Sequence, residues 1–325
     1  MPSLTAKILQ TLRTNSGAFC QGRKLAQGIG ISRAVLWNHI EALRTHGYAI
    51  EARRAKGYRL VSSPDRPFPW ELLLLIRSKL FRKNIIYRDE LESTNALAFQ
   101  LAIKGAPEGT VVIAESQTGG KGRMGRSWHS PPGLNIYTSV ILRPHWPPSK
   151  GASLTITAGV AVAETLEALY GVHPQIKWPN DIMLGMKKAA GILTEMSSEQ
   201  DRINFIVLGI GINVNALEKD FPQSLRGTAT SIREILGRPV NRSECAASLY
   251  DRLDECYNFL RKHSLVGIKE RWESRSVLMG KLVQASGSGR VVTGLATALD
   301  DDGALIITTG NGTRERIVAG DVTLC

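Results

Sequence analysis

The sequence predicts a multidomain α+β protein: a winged helix-turn-helix at residues 1–62, a linker at 63–69, a mixed α/β domain at 70–275 and an SH3-like β-barrel at 276–325. Three observations carry this. Short amphipathic helical patterns precede a basic hairpin, β-type and helical runs alternate through the middle, and glycine turns separate short strands at the end. At 325 residues the chain has room for two or three domains of roughly 100–200 residues each. Its mean hydropathy of −0.09 allows a substantial core.

In LTAKILQTLR (4–13), Leu4, Ile8, Leu9 and Leu12 recur at helical spacing. A short helix at Arg23–Gln27 and the turn GIGIS follow. Ser32 can cap a third helix, SRAVLWNHIEALRTHG, which Gly47 ends. Val35, Leu36, Ile40 and Leu43 form its apolar side, leaving Ser32, Arg33, Trp37, Asn38 and His39 free. Helix, glycine turn and helix form the arrangement whose second helix enters the major groove of DNA. YAIEARRAKGYRLV then reads as two strands around Arg53–Gly57, a basic wing. Residues 1–62 hold ten basic side chains against Glu41 and Glu51, an excess of +8 out of +12 for the whole chain. Such asymmetry points to a polyanion. Ser32, Arg33, Trp37, Asn38, Arg53, Arg54 and Lys56 are the expected DNA contacts, with Trp37 open between core and groove.

SSPDRPFPW (62–70) breaks the periodicity and marks a boundary, and residues 70–82 read as an amphipathic helix. TVVIAE (110–115), NIYTSVIL (135–142), QIKW (175–178), AGILTEM (190–196) and NFIVLGIGINV (204–214) read as strands, Thr155–Leu169 and Glu244–Leu260 as helices. The C-terminal module carries turns at SGSG, DDDG and GNG. The longest apolar run, Leu72–Ile76, falls far short of the roughly 20 residues that cross a bilayer, so no membrane attachment is expected. No signal-peptide pattern opens the chain, and a cytoplasmic location is the expectation. Cys20, Cys245, Cys256 and Cys325 are scattered, without zinc-ligand spacing, and read as free thiols; no metal-ligating set is assigned.

QTGGKGRMGRSW (117–128) contains Gly120, Gly122 and Gly125 in the spacing G-x-G-x-x-G. A dinucleotide turn must open a helix, and Pro131–Pro132 forbids one; no acid lies in 139–146 where the ribose ligand belongs. A Walker loop needs GK[ST], which is absent. What remains is a loop whose glycines let backbone N–H groups approach an anion, with Lys121, Arg123 and Arg126 adding charge.

ESTN (92–95), Q-x-x-G-K-G-R-x-G-R-x-W (117–128), KWPND (177–181), K-x-x-G-I-L-x-E (188–195) and GIGIN (209–213) occur in order. Together they resemble the biotin protein ligase family, and the N-terminal helix-turn-helix makes the likeness that of its bifunctional ligase and biotin-operon repressor branch, over essentially the whole chain. The resemblance implies a middle domain of the biotin/lipoate ligase type and a two-step reaction. Biotin and ATP give biotinyl-5′-AMP and pyrophosphate, with Mg²⁺ bridging phosphates; the biotinyl group then passes to a lysine of the biotin carboxyl carrier protein. It also implies that biotinyl-5′-AMP is corepressor, that the loaded protein forms a homodimer through sheet edges, and that this dimer binds operator DNA.

On residues alone Lys188 reads as a surface lysine of GMKK; the resemblance makes it the lysine of the biotin carboxylate and α-phosphate, catalytic together with Arg123 and Asp181. Biotin contacts are implied for Ser93, Thr94, Asn95, Gln117, Gly120, Lys121, Gly122, Arg123, Trp128, Tyr137, Ser139, Lys188, Gly191 and Gly209. ATP or adenylate contacts are implied for Arg123, Arg126, Lys177, Asn180, Lys188 and Asn213. The chain departs from the family pattern at Lys121, where an arginine is common, and at Met124, where a second basic residue can occur. Three alternatives stand beside this reading: a biotin sensor without catalysis, a ligase that does not bind DNA, and a lipoate-type ligase.

Overall fold

Helical spacing of apolar residues builds the start of the chain as the sequence predicts. The computed structural model describes residues 4–15, 17–287 and 290–325, and the chain divides into two units, Met1–Ile76 and Arg77–Cys325. The first unit contains α1 (Leu4–Thr14), α2 (Gly22–Ile29), α3 (Arg33–Thr45), β1 (Ala49–Arg53), β2 (Gly57–Ser62) and α4 (Pro69–Leu75). Ile8, Leu9, Leu12, Leu25, Leu36, Ile40 and Leu43 close its core. Gly30 ends α2 in the left-handed region, and Ser32 caps α3 by accepting a hydrogen bond from the Val35 N–H at 3.2 Å. Val35, expected on the buried face, is exposed, because Leu36, Ile40 and Leu43 alone form the inward stripe.

The helix expected over 70–82 is shorter and begins at Pro69, whose fixed φ suits a first helical turn. It stops before Ile76, which is extended, and the next two N–H groups, of Arg77 and Ser78, donate to Asp251 Oδ1 instead of to a helical turn. The helix belongs to the first unit. Buried Glu71 accepts from Arg13 Nη2 at 2.8 Å and from the Tyr48 hydroxyl at 2.5 Å, and Trp70 Nε1 donates to that hydroxyl at 2.8 Å. Burial, with Glu71 beside it, pushes the Tyr48 hydroxyl far above the ordinary tyrosine range, so it stays a donor. Residues expected as linker and as the start of the next domain therefore lie inside the first unit.

The second unit is built on β3 (Asn84–Leu91), α5 (Thr94–Ile103), β4 (Thr110–Gln117), β5 (Ile136–Leu142), α6 (Gly151–Tyr170), β6 (Pro174–Lys177), β7 (Asp181–Leu184), β8 (Lys187–Ser198) and β9 (Ile203–Ile212). The strands form one sheet in the order β3-β4-β5-β9-β8-β7-β6, with β3 and β4 parallel and the remaining pairs antiparallel. Further along lie α7 (Ile232–Leu236), α8 (Arg242–His263) and α9 (Val266–Glu273). β10 (Leu282–Gly287), β11 (Arg290–Leu299), β12 (Leu305–Thr308), β13 (Arg314–Ile317) and β14 (Asp321–Leu324) then make the small all-β part, an antiparallel sheet ordered β13-β12-β11-β10-β14. Two residues of the expected SGSG turn, 288 and 289, lie outside the described residues.

The large sheet carries helices on both faces. On one, the Thr138 hydroxyl meets Tyr250 of α8 at 2.8 Å, and Thr194 meets Thr155 of α6 at 2.8 Å. On the other, Ala98 and Ala102 of α5 pack with Val112, Ile141, Phe205 and Val207. Helix α6 lies within a stretch, Pro148–Tyr170, long and apolar enough to cross a membrane by composition; here its most apolar window is 67% buried and α6 packs on α8.

One ion pair fastens α8 to the sheet. Arg242, 1% exposed, donates to Glu115 of β4 at 2.9 Å and to the Asn135 carbonyl at 3.1 Å, while Tyr87 donates to the other Glu115 oxygen at 3.2 Å. Removing one partner of such a pair leaves a buried charge uncompensated. Arg242→Ala is expected to cost about 3–5 kcal/mol of unfolding free energy, read from denaturant titration.

Candidate functional site

The middle of the large sheet sets the site. Tyr137 of β5 stands opposite Gly211 of β9, Gly211 opposite Gly191 of β8, and Gly191 opposite Asp181 of β7. Ser139 stands opposite Gly209, and Gly209 opposite Leu193. Adjacent positions across a pleated sheet share one face, so three glycines open a floor on the α5 side. None needs a left-handed backbone; each is required for space. A Cβ at Gly211 would lie 2.5 Å from Trp128 Cε2, one at Gly191 2.9 Å from Trp128 Cζ3, and one at Gly209 would overlap the Asn95 amide.

The glycine-rich segment forms the opposite wall. It turns back on itself through Gly122 N–H to Arg126 O at 2.7 Å and Trp128 N–H to Gly120 O at 2.8 Å. This returns the Trp128 indole to the sheet, against Gly211 and Gly191, with a buried Nε1–H that has no acceptor within the protein. Gly120 is needed because a Cβ would meet the Trp128 carbonyl at 2.5 Å and Ser130 Oγ at 2.7 Å. Met124, at the tip, holds φ 56°, a left-handed conformation costly for a non-glycine residue, and is 68% exposed.

Between floor and loop lies a narrow cleft, with room of about 50 Å³. Of the residues proposed from sequence, Ser93, Thr94, Asn95, Gln117, Lys121, Gly122, Arg123, Trp128, Tyr137, Asn180, Lys188, Gly191 and Gly209 line it. Gly211, Thr138, Ile192, Leu193 and Ile210 also line it and carried no assignment. The ESTN motif is a helix N-terminus: Ser93 caps α5, and Thr94 N–H donates to Gln117 Oε1 at 2.8 Å. Gln117 Nε2 donates to Ser130 at 3.0 Å, which fixes its amide.

Three cations line the cleft, Lys121, Arg123 and Lys188. Lys188 Nζ lies 2.6 Å from Asp181 Oδ1 and 5.3 Å from the centre of the Trp128 ring. Lys188 sits on β8, not in a turn, and its backbone is clasped on the outside: Lys188 N–H donates to Thr228 O and its carbonyl accepts from Thr230 N–H. Arg123 donates to Asn180 Oδ1 at 3.3 Å and to the Gly320 carbonyl of the C-terminal sheet. Burial draws its guanidinium below the usual arginine range, opposed by Asp321 and Asp181. It remains a cation with little water around it, which strengthens its pull on an anion.

Six expected site residues lie off the cleft wall. Gly120 stands behind it, as described. Ser139 is fully buried beneath the wall, its one hydroxyl proton within reach of both Asn95 Oδ1 and Thr94 Oγ1. Arg126 is drawn to Asp321 of β14. Lys177 ends β6 beyond Asp181, and Asn213 turns to the Lys188 carbonyl at 3.5 Å. Asp181 is the sixth, reached from the cleft through Lys188, whose Nζ pairs with its Oδ1; among the described residues no cluster of three or more His, Cys, Asp or Glu could cage a metal ion.

In the first unit, Arg33, Arg53 and Arg54 line a concavity together with Arg23, Gly57 and Tyr58. Arg23 carried no assignment, although it opens the second helix. Trp37 is 54% exposed on α3, which removes it from the core, and Ser32, Arg33 and Asn38 are exposed beside it. Lys56 is exposed at the wing's tip, and Phe19 supports the wing, with Arg53 and Arg59 stacked 5.1 and 4.9 Å from its ring centre.

Residues 87–213 match the biotin/lipoate A/B protein ligase family, residues 5–59 an HTH domain and residues 279–324 the biotin protein ligase C-terminal domain. The chain is 39% identical over 325 residues to the bifunctional ligase/repressor BirA of Bacillus subtilis, covering 100% of both. It is 30% identical over 294 residues to that of Escherichia coli K12, covering 90% of this chain and 89% of that one. Among solved structures it resembles the biotin protein ligase of Aquifex aeolicus in complex with biotin and ATP. The TM-score is 0.64 at 30% identity, over 75% of this chain and 99% of that one.

If the glycine floor makes the cleft, Gly211→Ala will push the rigid indole off the sheet. The expected result is a loss of about 1–3 kcal/mol in stability and a change in tryptophan emission, measured by thermal unfolding and fluorescence.

Proposed function

The chain belongs to the bifunctional biotin protein ligase and repressor (BirA) family, and from that premise we propose how its residues carry out the two activities. It is an ATP-dependent, AMP-forming biotin protein ligase whose N-terminal domain binds DNA as a repressor. The observation that carries the mechanism is the pairing of Lys188 with Asp181 beside the Arg123 guanidinium, at the polar end of a cleft whose other end is lined by neutral donors and acceptors.

Biotin enters with its ring toward Ser93, Thr94, Asn95 and Gln117 and its valeryl chain along Trp128. Its carboxylate then lies near Lys188. An ammonium has three protons; Asp181 takes one, leaving two for the biotin carboxylate and an α-phosphate oxygen of ATP. A carboxylate oxygen attacks the α-phosphorus, the bond to the β-phosphate oxygen breaks, and pyrophosphate leaves. Arg123 and Lys188 offset the charge that accumulates as two anions approach, without acting as nucleophiles. In the second step the neutral amine of a carrier-protein lysine attacks the biotinyl carbonyl, an amide forms, and AMP leaves with the bonding electrons; the amine proton is lost.

Mg²⁺ arriving with ATP would be held chiefly by the substrate phosphates, with Asp181, whose Oδ1 is paired with Lys188, as the nearby carboxylate. Bound there, Mg²⁺ would neutralise phosphate charge. Arg126, Lys177 and Asn213 support the nucleotide side from behind the wall, and the segment that clasps Lys188 at Thr228 and Thr230 is the cover for the adenine.

For repression, Ser32, Arg33, Trp37 and Asn38 face the major groove, and Arg53, Arg54 and Lys56 rest on phosphates. A single helix-turn-helix reads one half-site, so an adenylate-bound homodimer on a palindromic operator follows. The protein acceptor is the biotin carboxyl carrier protein, in a cytoplasmic setting.

Lys188→Ala is expected to lower biotin- and ATP-dependent pyrophosphate release by about 10²–10³-fold, the scale of losing one preorganised charge donor; unchanged turnover would remove Lys188 from the mechanism. Replacing Arg53, Arg54 and Lys56 by alanine should reduce the log–log salt slope of DNA binding by about one per lost phosphate contact, read by fluorescence anisotropy across a salt series.

A further inference from the structure

Phe19 precedes α2 and is only half-buried, yet two arginines of the wing rest on its ring, Arg53 at 5.1 Å and Arg59 at 4.9 Å from the centre. The backbone brings them together. Cys20 N–H donates to the Tyr58 carbonyl at 2.8 Å and Tyr58 N–H to the Cys20 carbonyl at 2.9 Å, so the segment before α2 runs alongside β2. Position 57 must be glycine for this approach, because a Cβ there would overlap the Cys20 carbonyl oxygen. Glu51 stands opposite Arg59 in the hairpin, and Arg53 lies two residues further along β1. The period of two along a strand puts Glu51, Arg53 and Arg59 on one face, the face that the Phe19 ring covers.

Charge and access separate the two arginines. Glu51 Oε2 lies 2.8 Å from Arg59 Nη2 and 3.6 Å from Arg53 Nη2, so the carboxylate pairs chiefly with Arg59. Arg59 Nε is shut off from solvent and meets no acceptor, which closes that edge of its guanidinium to an incoming anion. The Arg59 side chain is 33% exposed and that of Arg53 57%. Two cations and one anion leave one positive charge, and Arg53 is the residue that presents it outward. A long cationic side chain that is free in water must be immobilised when it meets a phosphate; one already laid on an aromatic face has lost much of that freedom beforehand.

We propose that Phe19 is a positioning residue for DNA binding: its ring fixes the Arg53 guanidinium, the uncompensated cation of this cluster, as a preformed contact for a phosphate of the DNA backbone. Phe19 itself does not touch the DNA. The inference rests on the DNA-binding reading of the first unit and extends it to a residue behind the contacting surface. Within the same cluster, Glu51 offsets the repulsion between two guanidinium groups that share one ring, and Arg59 keeps that carboxylate from neutralising Arg53.

The test uses the full-length protein with biotin and ATP, and a fluorescein-labelled mixed-sequence DNA duplex, since phosphate contacts carry no base information. Anisotropy is followed across a salt series. Arg53→Ala is expected to lower the log–log salt slope by about one per bound wing. Phe19→Leu should weaken binding about threefold to tenfold with the slope kept, because the phosphate contact still forms but the side chain must first be ordered. Phe19→Tyr, which keeps the ring, stays near the unaltered protein. In the Arg53→Ala background Phe19→Leu should add nothing, because both act on one contact. Undiminished affinity in Phe19→Leu, equal impairment in Phe19→Tyr, or a further loss from Phe19→Leu once Arg53 is alanine would overturn the proposal. If Phe19→Leu does not fold, Phe19→Met, also without a ring, is judged by the same readings. Absence of salt-dependent binding by the unaltered protein would sink the DNA-binding role itself, which is a different result.

Discussion

The cleft exists because side chains are missing from its floor. Gly191, Gly209 and Gly211 lie on adjacent rows of two neighbouring strands, β8 and β9, and the volume they vacate is taken by Trp128, Asn95 and the stem of Lys188. Every functional group described above is positioned relative to that floor: Trp128 because the indole lies on it, Asn95 because its amide fills the gap over Gly209, Lys188 because its strand passes beside Gly191. A sheet of β-branched residues at the same positions would be better packed and would hold nothing.

Rigid support surrounds this opening. Arg242 and Glu115 lock the first turn of α8 to β4, next to the strand that carries Tyr137, and Trp178 Nε1 donates to the Gly303 carbonyl of the C-terminal sheet at 3.1 Å. The C-terminal sheet also meets the glycine-rich loop, through Arg126 with Asp321 and Arg123 with the Gly320 carbonyl. The small β part is thus bound to the catalytic wall at several points, while the loop tip at Met124 stays exposed.

Much of this was legible in the residues. The central strands are runs of Val, Ile and Leu between turn signals, and each forms within a few residues of its expected bounds. The wing and the recognition helix follow from glycine turns and a capping serine. Helix α5 escaped notice because TNALAFQLAI is apolar on more than one face, buried by sheet and loop together, so no clean 3.6-residue stripe shows. β7 is only four residues long and carries no alternation that could be told from a turn. The motifs located most of the cleft, since local patterns such as ESTN and Q-x-x-G place their own side chains. They could not tell Ser139 from a lining residue, or Arg126 from a cleft cation. Those outcomes depend on which partner, Asn95 or Asp321, the rest of the fold brings within reach.

The fastening of α4 has a practical meaning for dissecting the two activities. Proline-rich composition suggests cutting the chain near residue 63 to 69, but Glu71 would then go with one fragment and its donors Arg13 and Tyr48 with the other. The DNA-reading fragment would carry a buried phenol and a guanidinium stripped of their carboxylate, and the remaining enzyme would begin with an apolar helix stripped of its cover. A severance after Ile76 keeps acceptor and donors in the same piece, so that a loss of repression in the shortened enzyme reports the absence of the reader rather than damage at the scar.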